Sequence, residues 1–287
     1  MQVLFCTDGS KTSYNAILNF SHWFKSFSAN ILSVSDMTYL PDSVLFNANK
    51  YVTECKNSTN SVIEYTQDLL YKKNINVSGI LKLCGSAVDS ILEIDKSNNY
   101  KYIIMGSNGK RGLQKWLGSV SQEVASESKS NVYISKVNFD KKKNILFPVI
   151  RTTLSEEVIK TSVKDIDFTN SKVHLLTIYE MPEFLFLEGN IDSKWINDVD
   201  RQQQKESLKH LMDVEKIFIE NGIKVENKVV LSGNPSEKIL EYISLNDISL
   251  TVTGMRKRKG LSSLTISSVS RRVLENAGCD VLIYKEL

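Results

Sequence analysis

Short apolar runs alternate with longer amphipathic segments along the chain, and in the first half this alternation is regular. The apolar runs predict five strands, at 2–7, 30–35, 75–82, 101–106 and 131–135. The amphipathic segments predict four helices, at 10–25, 57–73, 86–97 and 119–128. Continuously apolar strands are typical of parallel sheets that are covered on both faces. The pattern therefore predicts a five-stranded, doubly wound α/β domain with right-handed crossovers.

The second half carries the longest predicted helix, at 194–221, which Asn221–Gly222 is expected to end. One face of this helix is predicted to be mostly apolar and to carry Leu208, Leu211, Met212, Glu215, Phe218 and Ile219. In the first half, Ser10 or Ser13 is expected to cap the first helix.

The same pattern is written twice. The segment VLFCTDGSKTS (3–13) corresponds to ILFPVIRTTLS (145–155), and SVSQEVASESKSNVYI (119–134) corresponds to SVSRRVLENAGCDVLI (268–283). A repeat of about 140 residues has the size of a domain rather than of a solenoid unit. We therefore expect two tandem domains, at 1–140 and 141–287. The triplet Lys141–Lys143 at the join is interpreted as a solvated linker and the start of a strand.

Composition and charge narrow the classes of protein that the chain can be. It has 287 residues, of which 41% are apolar and 24% charged, with a net charge of +3. Each half is close to charge balance, with 14 basic and 12 acidic residues in 1–140 and 22 and 21 in the rest, so no nucleic-acid partner is predicted. No apolar run reaches the length of a membrane span, and MQVLFCTDGS lacks the features of a secretion signal. A cytoplasmic protein is expected.

The four cysteines are far apart in sequence and form no CxxC motif. They point to a reducing compartment and free thiols. Cys6 lies in an apolar run, so we interpret it as a small core residue rather than a reactive thiol.

In a doubly wound sheet, ligands bind beyond the carboxyl ends of the strands, where the strand order reverses. This rule directs attention to Thr7–Ser10 after strand one, Val34 at the end of strand two, and Met105 onward after strand four. The last of these reads MGSNGKRGLQKWLGSVS, with glycines at 106, 109, 112 and 118. Glycines allow backbone amides to approach an anion, and a helix beginning at Ser119 would offer free amides to phosphate. A structural turn followed by a helix cap accounts for the same residues.

Asp8 also has two interpretations. Its carboxylate can accept hydrogen bonds from a ribose hydroxyl or an exocyclic amine, or it can form an Asx turn or cap the following helix. Asp8 and the glycine loop are expected at one edge of one sheet, and this coincidence favours a ligand site.

No catalytic constellation is visible. The loop matches neither GxxxxGK[ST] nor GxGxxG, and His22, His174 and His210 show neither metal-ligand spacing nor a triad partner. We expect no catalytic residue and no protein-bound metal.

With DGS after strand one and MGSNGKRGLQKWLGSVS after strand four, the chain resembles the universal stress protein family in its tandem form. The second motif is similar to the family's ATP-binding signature G-x2-G-x9-G-[ST]. The resemblance covers nearly the whole chain and implies the fold of that family, which is related to the adenine nucleotide alpha hydrolases. It also implies a nucleotide, namely ATP, ADP or AMP, that is bound without a dedicated catalytic apparatus. Whether magnesium accompanies the nucleotide is left open.

The resemblance assigns roles residue by residue. Cys6 and Thr7 would line the base site, Asp8 would contact adenine or ribose, and Val34 would contact adenine through its backbone. Wrapping of the ribose and phosphates is assigned to Met105, Gly106, Asn108 and Gly109. Binding of phosphate oxygens, through amides and hydroxyls, is assigned to Gly118, Ser119, Val120 and Ser121.

The chain departs from the signature in two ways. Eight residues separate Gly109 from Gly118, where the signature has nine. In the second half, Ile150 stands at the position of Asp8, and Lys257 and Ser267 replace two of the glycines, so this half is interpreted as a degenerate site. The basic run 256–259 is interpreted as a solvated loop, with attraction of an anion as the alternative. The apolar run FLFL (184–187) is either an interface patch or a segment packed on the core.

These inferences lead to a cytosolic stress protein whose first domain binds an adenine nucleotide and whose second is structural or regulatory. The two domains are expected to form a pseudo-dimer through their last strands, 131–135 and 280–285. Homodimerisation of the whole chain is compatible with this pairing. The alternative is a scaffold of the same fold that binds proteins and no nucleotide. An ATP pyrophosphatase or slow ATPase is disfavoured, because pyrophosphatase relatives carry an SGGxDS-type loop where this chain has TDGS.

Overall fold

The computed structural model describes residues 1–36, 38, 48–108, 117–136, 143–150, 152–181, 193–255 and 267–285, without the side chains of 48–51. The strands of the first half are β1 (Gln2–Cys6), β2 (Ser28–Asp36), β3 (Asn76–Gly85), β4 (Tyr102–Gly106) and β5 (Asn131–Ser135). Its helices are α1 (Lys11–Trp23), α2 (Ala48–Lys72), α3 (Ala87–Ser97) and α4 (Ser119–Glu127).

The second half repeats this order of elements. Its strands are β6 (Asn144–Pro148), β7 (Lys172–Tyr179), β8 (Val225–Ser232), β9 (Leu250–Gly254) and β10 (Asp280–Tyr284). Its helices are α5 (Thr153–Asp165), α6 (Ser193–Glu220), α7 (Pro235–Leu245) and α8 (Ser268–Asn276). The predicted α/β fold with alternating strands and helices is confirmed.

All ten strands form one sheet, in the order β3-β2-β1-β4-β5-β10-β9-β6-β7-β8. Neighbouring strands are parallel within each half, and β5 and β10 pair antiparallel at the centre, with Tyr133 opposite Leu282. The predicted pairing of the two last strands is therefore confirmed. Within each half the strand order reverses between the first and fourth strands, β1 and β4 or β6 and β9, which is where a ligand crevice is expected.

Helices cover both faces of the sheet, because the strands are apolar on both sides. One buried cluster joins the sheet to α1, α2, α5 and α6, and includes Phe5, Phe20 and Phe147. The other joins it to α3, α4, α7 and α8, and includes Ile103, Val124 and Ile283. Each cluster runs through both halves, so the halves share their cores.

Polar contacts between the halves are arranged as pseudo-symmetric pairs at the central strands. The backbone N–H of Lys136 donates to Asp280 Oδ1 (2.8 Å), and the backbone N–H of Lys285 donates to Asn131 Oδ1 (2.9 Å). The side-chain amines of the same two lysines also donate across the boundary between the halves. Lys136 donates to the carbonyl of Ala277 (3.2 Å), and Lys285 donates to the carbonyl of Ala125. Burial lowers the pKa of Lys136 to about 8 and that of Lys285 to about 7.

Two helices differ from the predictions in ways that packing explains. α2 begins at Ala48, nine residues before the predicted start, because its buried face extends back to Cys55. In α6 the buried residues are Ser207, Leu211, Val214 and Phe218. Three residues assigned to the apolar face are instead exposed: Leu208, Met212 and Ile219.

The expectation of four free thiols is wrong for one pair. Cys55 on α2 and Cys84 on β3 form a disulfide, with their Cα atoms 6.2 Å apart. Cys6 and Cys279 are free and buried, as expected for core residues. Spacing along the sequence could not reveal the pair, because 29 positions separate its members and only the packing of α2 on β3 joins them.

No helix within the described ranges is long and apolar enough to cross a membrane. The boundary between the predicted domains, at 140 and 141, lies outside the described residues and stays a prediction. The same holds for the FLFL run and for the basic run 256–259.

Candidate functional site

The first candidate site lies where the strand order reverses in the first half, between β1 and β4. Thr7 continues the line of β1, since its N–H donates to Leu32 O on β2 (2.9 Å). Ser107 continues that of β4 in the same way, by donating to Ser135 O on β5 (2.8 Å). The two chain ends thus leave the same edge of the sheet side by side, as the strand pattern predicts.

The turn from β1 into α1 is fixed by short polar side chains. Gly9 has a φ of 77°, and its N–H donates to Thr7 Oγ1 (3.1 Å). Asp8 Oδ1 accepts the N–H of Ser10 (3.0 Å), which is an Asx turn, and Ser10 in turn caps α1 by accepting the N–H of Ser13 (3.2 Å). Asp8 is therefore a turn residue in this structure and not the helix cap. Its carboxylate is partly exposed at the edge of the sheet.

The end of β4 lies directly against the first turn of α1. A Cβ at Gly106 would lie 2.8 Å from the backbone nitrogen of Ser13 and 2.8 Å from the carbonyl carbon of Thr12. Only glycine permits this approach. The hydroxyl of Thr12 then donates to the carbonyl of Asn108 (2.5 Å), and Asn108 itself is buried.

The start of α4 closes the arrangement. Gly118 is its N-cap and donates its N–H to the carbonyl of Ser107 (2.7 Å). Gly118 has no side chain with which to cap this helix, so among the described residues its first-turn amides carry no intrahelical bond and no bond from a capping hydroxyl. The hydroxyl of Ser121 donates to Gly106 O (2.8 Å), which ties α4 to the end of β4. A Cβ at Gly118 would come within 3.1 Å of the Ser107 carbonyl oxygen.

The wall of this edge is apolar and rigid. Cys6 and Met105 are buried in the cluster under α3 and α4, and Val34 packs against the same cluster from β2. Burial raises the pKa of the Cys6 thiol far above its ordinary value, with a smaller contribution from the charge of Asp95, so this thiol stays protonated. Apolar side chains beside a carboxylate suit a heterocyclic base.

The structure thus places eleven of the twelve predicted site residues around one edge: Cys6, Thr7, Asp8, Val34, Met105, Gly106, Asn108, Gly118, Ser119, Val120 and Ser121. Gly109 and the neighbouring basic residues Lys110 and Arg111 lie outside the described residues. The role of each of these residues in binding stays a prediction.

Sequence reasoning missed the residues that join the parts. On α1, the Thr12 hydroxyl donates to the Asn108 carbonyl, and the Ser13 hydroxyl contacts that of Thr7 (2.9 Å). The Ser107 carbonyl accepts the N–H of Gly118. The signal was available as the dense hydroxyl run SKTS after Gly9. From the sequence alone, such a run indicates helix capping and not contacts with distant residues.

The second half repeats the frame with other side chains. Val149 N donates to Leu176 O (2.7 Å) and Met255 N to Tyr284 O (2.8 Å), as Thr7 and Ser107 do in the first half. Ile150 stands at the Asp8 position and is 52% exposed. Ser267 is the N-cap of α8, and its hydroxyl accepts the N–H of Ser270 (3.0 Å). This edge has neither the carboxylate nor the uncapped helix start of the first.

Comparison with known proteins gives consistent results. The sequence model of the universal stress protein family matches residues 1–136 and 142–285. A universal stress protein of Methanocaldococcus jannaschii is 26% identical over 144 residues, covering 50% of this chain and 82% of the relative. One from Bacillus subtilis is 30% identical over 95 residues, covering 33% of this chain and 64% of the relative.

Two solved structures share the fold over almost the full length. A universal stress protein from Archaeoglobus fulgidus superposes with a TM-score of 0.71 at 19% identity, covering 99% of this chain and 98% of that one. A protein described as a putative universal stress protein, from Pseudomonas aeruginosa, gives 0.62 at 16% identity, with coverage of 99% and 92%. Two family matches that together span nearly the whole sequence leave one conclusion: the chain belongs to the universal stress protein family and carries two of its domains in tandem.

Proposed function

We propose that the first domain binds an adenine nucleotide, ATP or its relatives ADP and AMP, and that it does so without catalysing a reaction. The observation that carries this proposal is the uncapped start of α4, at Gly118, set against the buried end of β4 at the reversal of strand order. Helix N-termini of this kind bind phosphate through backbone amides.

The remaining parts fit the other end of such a ligand. The apolar wall of Cys6, Met105 and Val34 would receive the base, and the Asp8 carboxylate would accept hydrogen bonds from a ribose hydroxyl or the adenine amine. Gly106, Ser107 and Asn108 keep the loop close enough for backbone contact with the ribose and phosphates. Amides of Ser119, Val120 and Ser121 would hold phosphate oxygens, while the Ser121 hydroxyl stabilises the loop.

The proposal assigns no catalytic residue and no protein ligand to magnesium. Among the described residues, no group of three or more His, Cys, Asp or Glu side chains is placed to hold a metal ion. Binding would act by ordering the loop after β4 and thereby shifting a conformational population that a partner detects. We place this activity in the cytoplasm, as a regulatory function of a stress response.

A thermal-shift titration with ATP, ADP and AMP, each with and without magnesium, tests the proposal. A ligand that binds only the folded state raises the midpoint of unfolding as its concentration rises past the Kd. We expect a shift with wild-type protein, a smaller one with Asp8→Ala, and the wild-type shift with Ile150→Ala. The last variant is the matched control, because Ile150 occupies the same position in the second domain.

Native mass spectrometry of the protein as purified from cells supplies an independent measurement, since it reports retained nucleotide and oligomeric state together. No shift at millimolar nucleotide and no retained nucleotide would rule out the proposal. The protein-binding scaffold would then be the better account, and its partners should bind Asp8→Ala as well as wild type.

A further inference from the structure

The second domain contains a cavity of about 590 Å³ at the edge of the sheet that corresponds to the nucleotide edge of the first. It opens between the ends of β6 and β9 and is bordered by the start of α8, by α5 and by α7. Its volume lies within the range of sites that enclose most of a small organic molecule.

The walls of this cavity are apolar. Of the 22 described residues that line it, fifteen are apolar, six carry a hydroxyl and one is Gly254, and none of the 22 is charged. Phe147, Val149, Leu176 and Val252 form part of the lining and are buried in the core. Ile150, half-exposed where the first domain has Asp8, adds apolar surface at the mouth.

Most of the hydroxyls in the lining are already engaged within the protein. Ser267 accepts from the backbone of Ser270 (3.0 Å) and donates to its hydroxyl (3.0 Å), and the Ser270 hydroxyl also contacts that of Thr253 (3.2 Å). Ser155 accepts the N–H of Ile150 (2.9 Å). A polyphosphate would have to compete for these groups and would meet no cation on the described walls. The described walls of the cavity therefore favour an apolar ligand over the ligand class proposed for the first domain.

We propose that the second domain binds an apolar small molecule in this cavity, of the class of medium-chain aliphatic or aromatic compounds with at most one small polar end. Burial of apolar surface supplies the affinity. The polar end of the ligand lies in solvent at the mouth, beside the half-exposed Ile150, because the hydroxyls of Thr253, Ser267 and Ser270 already bond one another. The tandem chain then binds two chemically different ligands at pseudo-equivalent edges of one sheet.

Isothermal titration calorimetry with decanoate, on the full chain, tests this inference. We expect saturable binding at one site with a negative heat-capacity change, the signature of apolar burial. Ile150→Glu should weaken decanoate binding at least about tenfold, because it places a charge against the apolar ligand at the mouth. The matched control is Ile219→Glu, which puts the same charge at an exposed isoleucine of α6 outside the cavity and should leave the affinity unchanged.

Two further arms keep this test separate from the nucleotide proposal. Asp8→Ala should bind decanoate as wild type does, and saturating ATP should not displace decanoate. Absence of decanoate binding by wild-type protein overturns the inference, as does equal weakening by Ile150→Glu and Ile219→Glu. Displacement by ATP also overturns it, because the two ligands would then share a site. None of these results depends on whether the first domain binds nucleotide.

Discussion

The two domains have the same backbone frame and different chemistry at its edge. Val149 repeats the hydrogen bond of Thr7 to the neighbouring strand, at 2.7 Å against 2.9 Å, and Met255 repeats that of Ser107 at 2.8 Å. The apolar pattern of the strands fixes these backbone positions whatever the side chains beyond them are. The comparison teaches that one backbone frame accepts different side chains at its edge, so function has to be argued from the edge residues.

The helix starts show the difference most clearly. The N-cap of α4 is Gly118, which has no side chain, whereas the N-cap of α8 is Ser267, whose hydroxyl accepts one of the first amides. A serine cap stabilises a helix by a few tenths of a kcal/mol relative to glycine, so its absence at α4 is a small cost to stability. That cost is understandable if the amides have another acceptor.

A second difference between the domains, in their cysteines, gives the largest expected effect on stability. The disulfide Cys55–Cys84 ties α2 to β3 in the first domain, while the free Cys279 is the single cysteine of the second half. Closing a loop of this length stabilises the folded state by about 3–4 kcal/mol in the chain-entropy account. Cys84→Ser should therefore lower the unfolding free energy of the first domain by up to that amount. Hydrogen exchange under oxidising conditions, measured separately on β1–β5 and β6–β10, gives the value for each domain.

Reduced wild-type protein is the control for this prediction and should match Cys84→Ser. Cys84 is exposed, so the substitution creates no cavity of its own. If oxidised wild type, reduced wild type and Cys84→Ser show the same exchange in the first domain, the disulfide contributes nothing to its stability.

Exchanging the residues at the pseudo-equivalent positions 8 and 150 gives the next largest effect. Asp8→Ile should weaken nucleotide binding by about 10- to 100-fold, since hydrogen bonds to a charged group are worth about 1.5–3 kcal/mol. The reverse exchange, Ile150→Asp, should not create a nucleotide site, because Ser267 still occupies an amide of α8. Nucleotide titration by calorimetry measures both. A gain of nucleotide binding by Ile150→Asp would show that one carboxylate accounts for the whole difference.

The disulfide and the contrast between positions 8 and 150 also show how much of the structure the sequence predicts. Strands, sheet type, the repeat and the central pairing of β5 with β10 follow from apolar periodicity, since burial on both faces leaves a strong pattern. The positions of Asp8 and Gly118 on one edge follow from the rule for parallel sheets. Contacts between distant segments left no such pattern.

The bond between Cys55 and Cys84 depends on how α2 crosses β3, and the apolar cavity depends on how α5, α7 and β9 pack. The sequence indicates that the second half lacks the carboxylate and two of the glycines. It did not indicate that the space would remain, because an empty volume is a property of the packed side chains and not of any one residue.

Adding a methyl group at the ends of β4 and β9 is expected to have a moderate effect that differs between the domains. At Gly106 the new Cβ would press on the backbone of α1, so Gly106→Ala should cost about 1–3 kcal/mol and weaken nucleotide binding. At Gly254 the Cβ would meet side-chain atoms of Val158 (2.6 Å) and Leu154 (3.1 Å). Both of these residues border the cavity and can move into it. Gly254→Ala should therefore lower the free energy of unfolding by less than Gly106→Ala does. Denaturant unfolding of each variant against wild type measures the two values.

Equal costs at the two glycines would mean that the cavity gives Val158 and Leu154 no freedom. Decanoate offers a direct check, because side chains displaced into the cavity should reduce its affinity for that compound. Gly254→Ala is thus expected to weaken decanoate binding, and Gly106→Ala is expected to leave it unchanged.

The smallest expected effect is the most specific, because it moves stability and binding in opposite directions. Gly118→Ser gives α4 the cap that α8 has. The serine hydroxyl can accept the N–H of Ser121 and stabilise the helix by a few tenths of a kcal/mol relative to glycine, less the cost of placing a Cβ 3.1 Å from the Ser107 carbonyl oxygen. The same hydroxyl removes an amide from the phosphate site, so nucleotide affinity should fall by several-fold.

The reverse change, Ser267→Gly, supplies the matched control in the second domain. It removes the hydroxyl that accepts the Ser270 N–H, and glycine costs only a few tenths of a kcal/mol at a helix cap. It should leave nucleotide affinity unchanged, because the proposed ligand of that domain carries no phosphate. If Gly118→Ser raised both stability and nucleotide affinity, the amides of α4 could not be the groups that hold phosphate. The contrast between the two helix starts would then be a matter of folding alone.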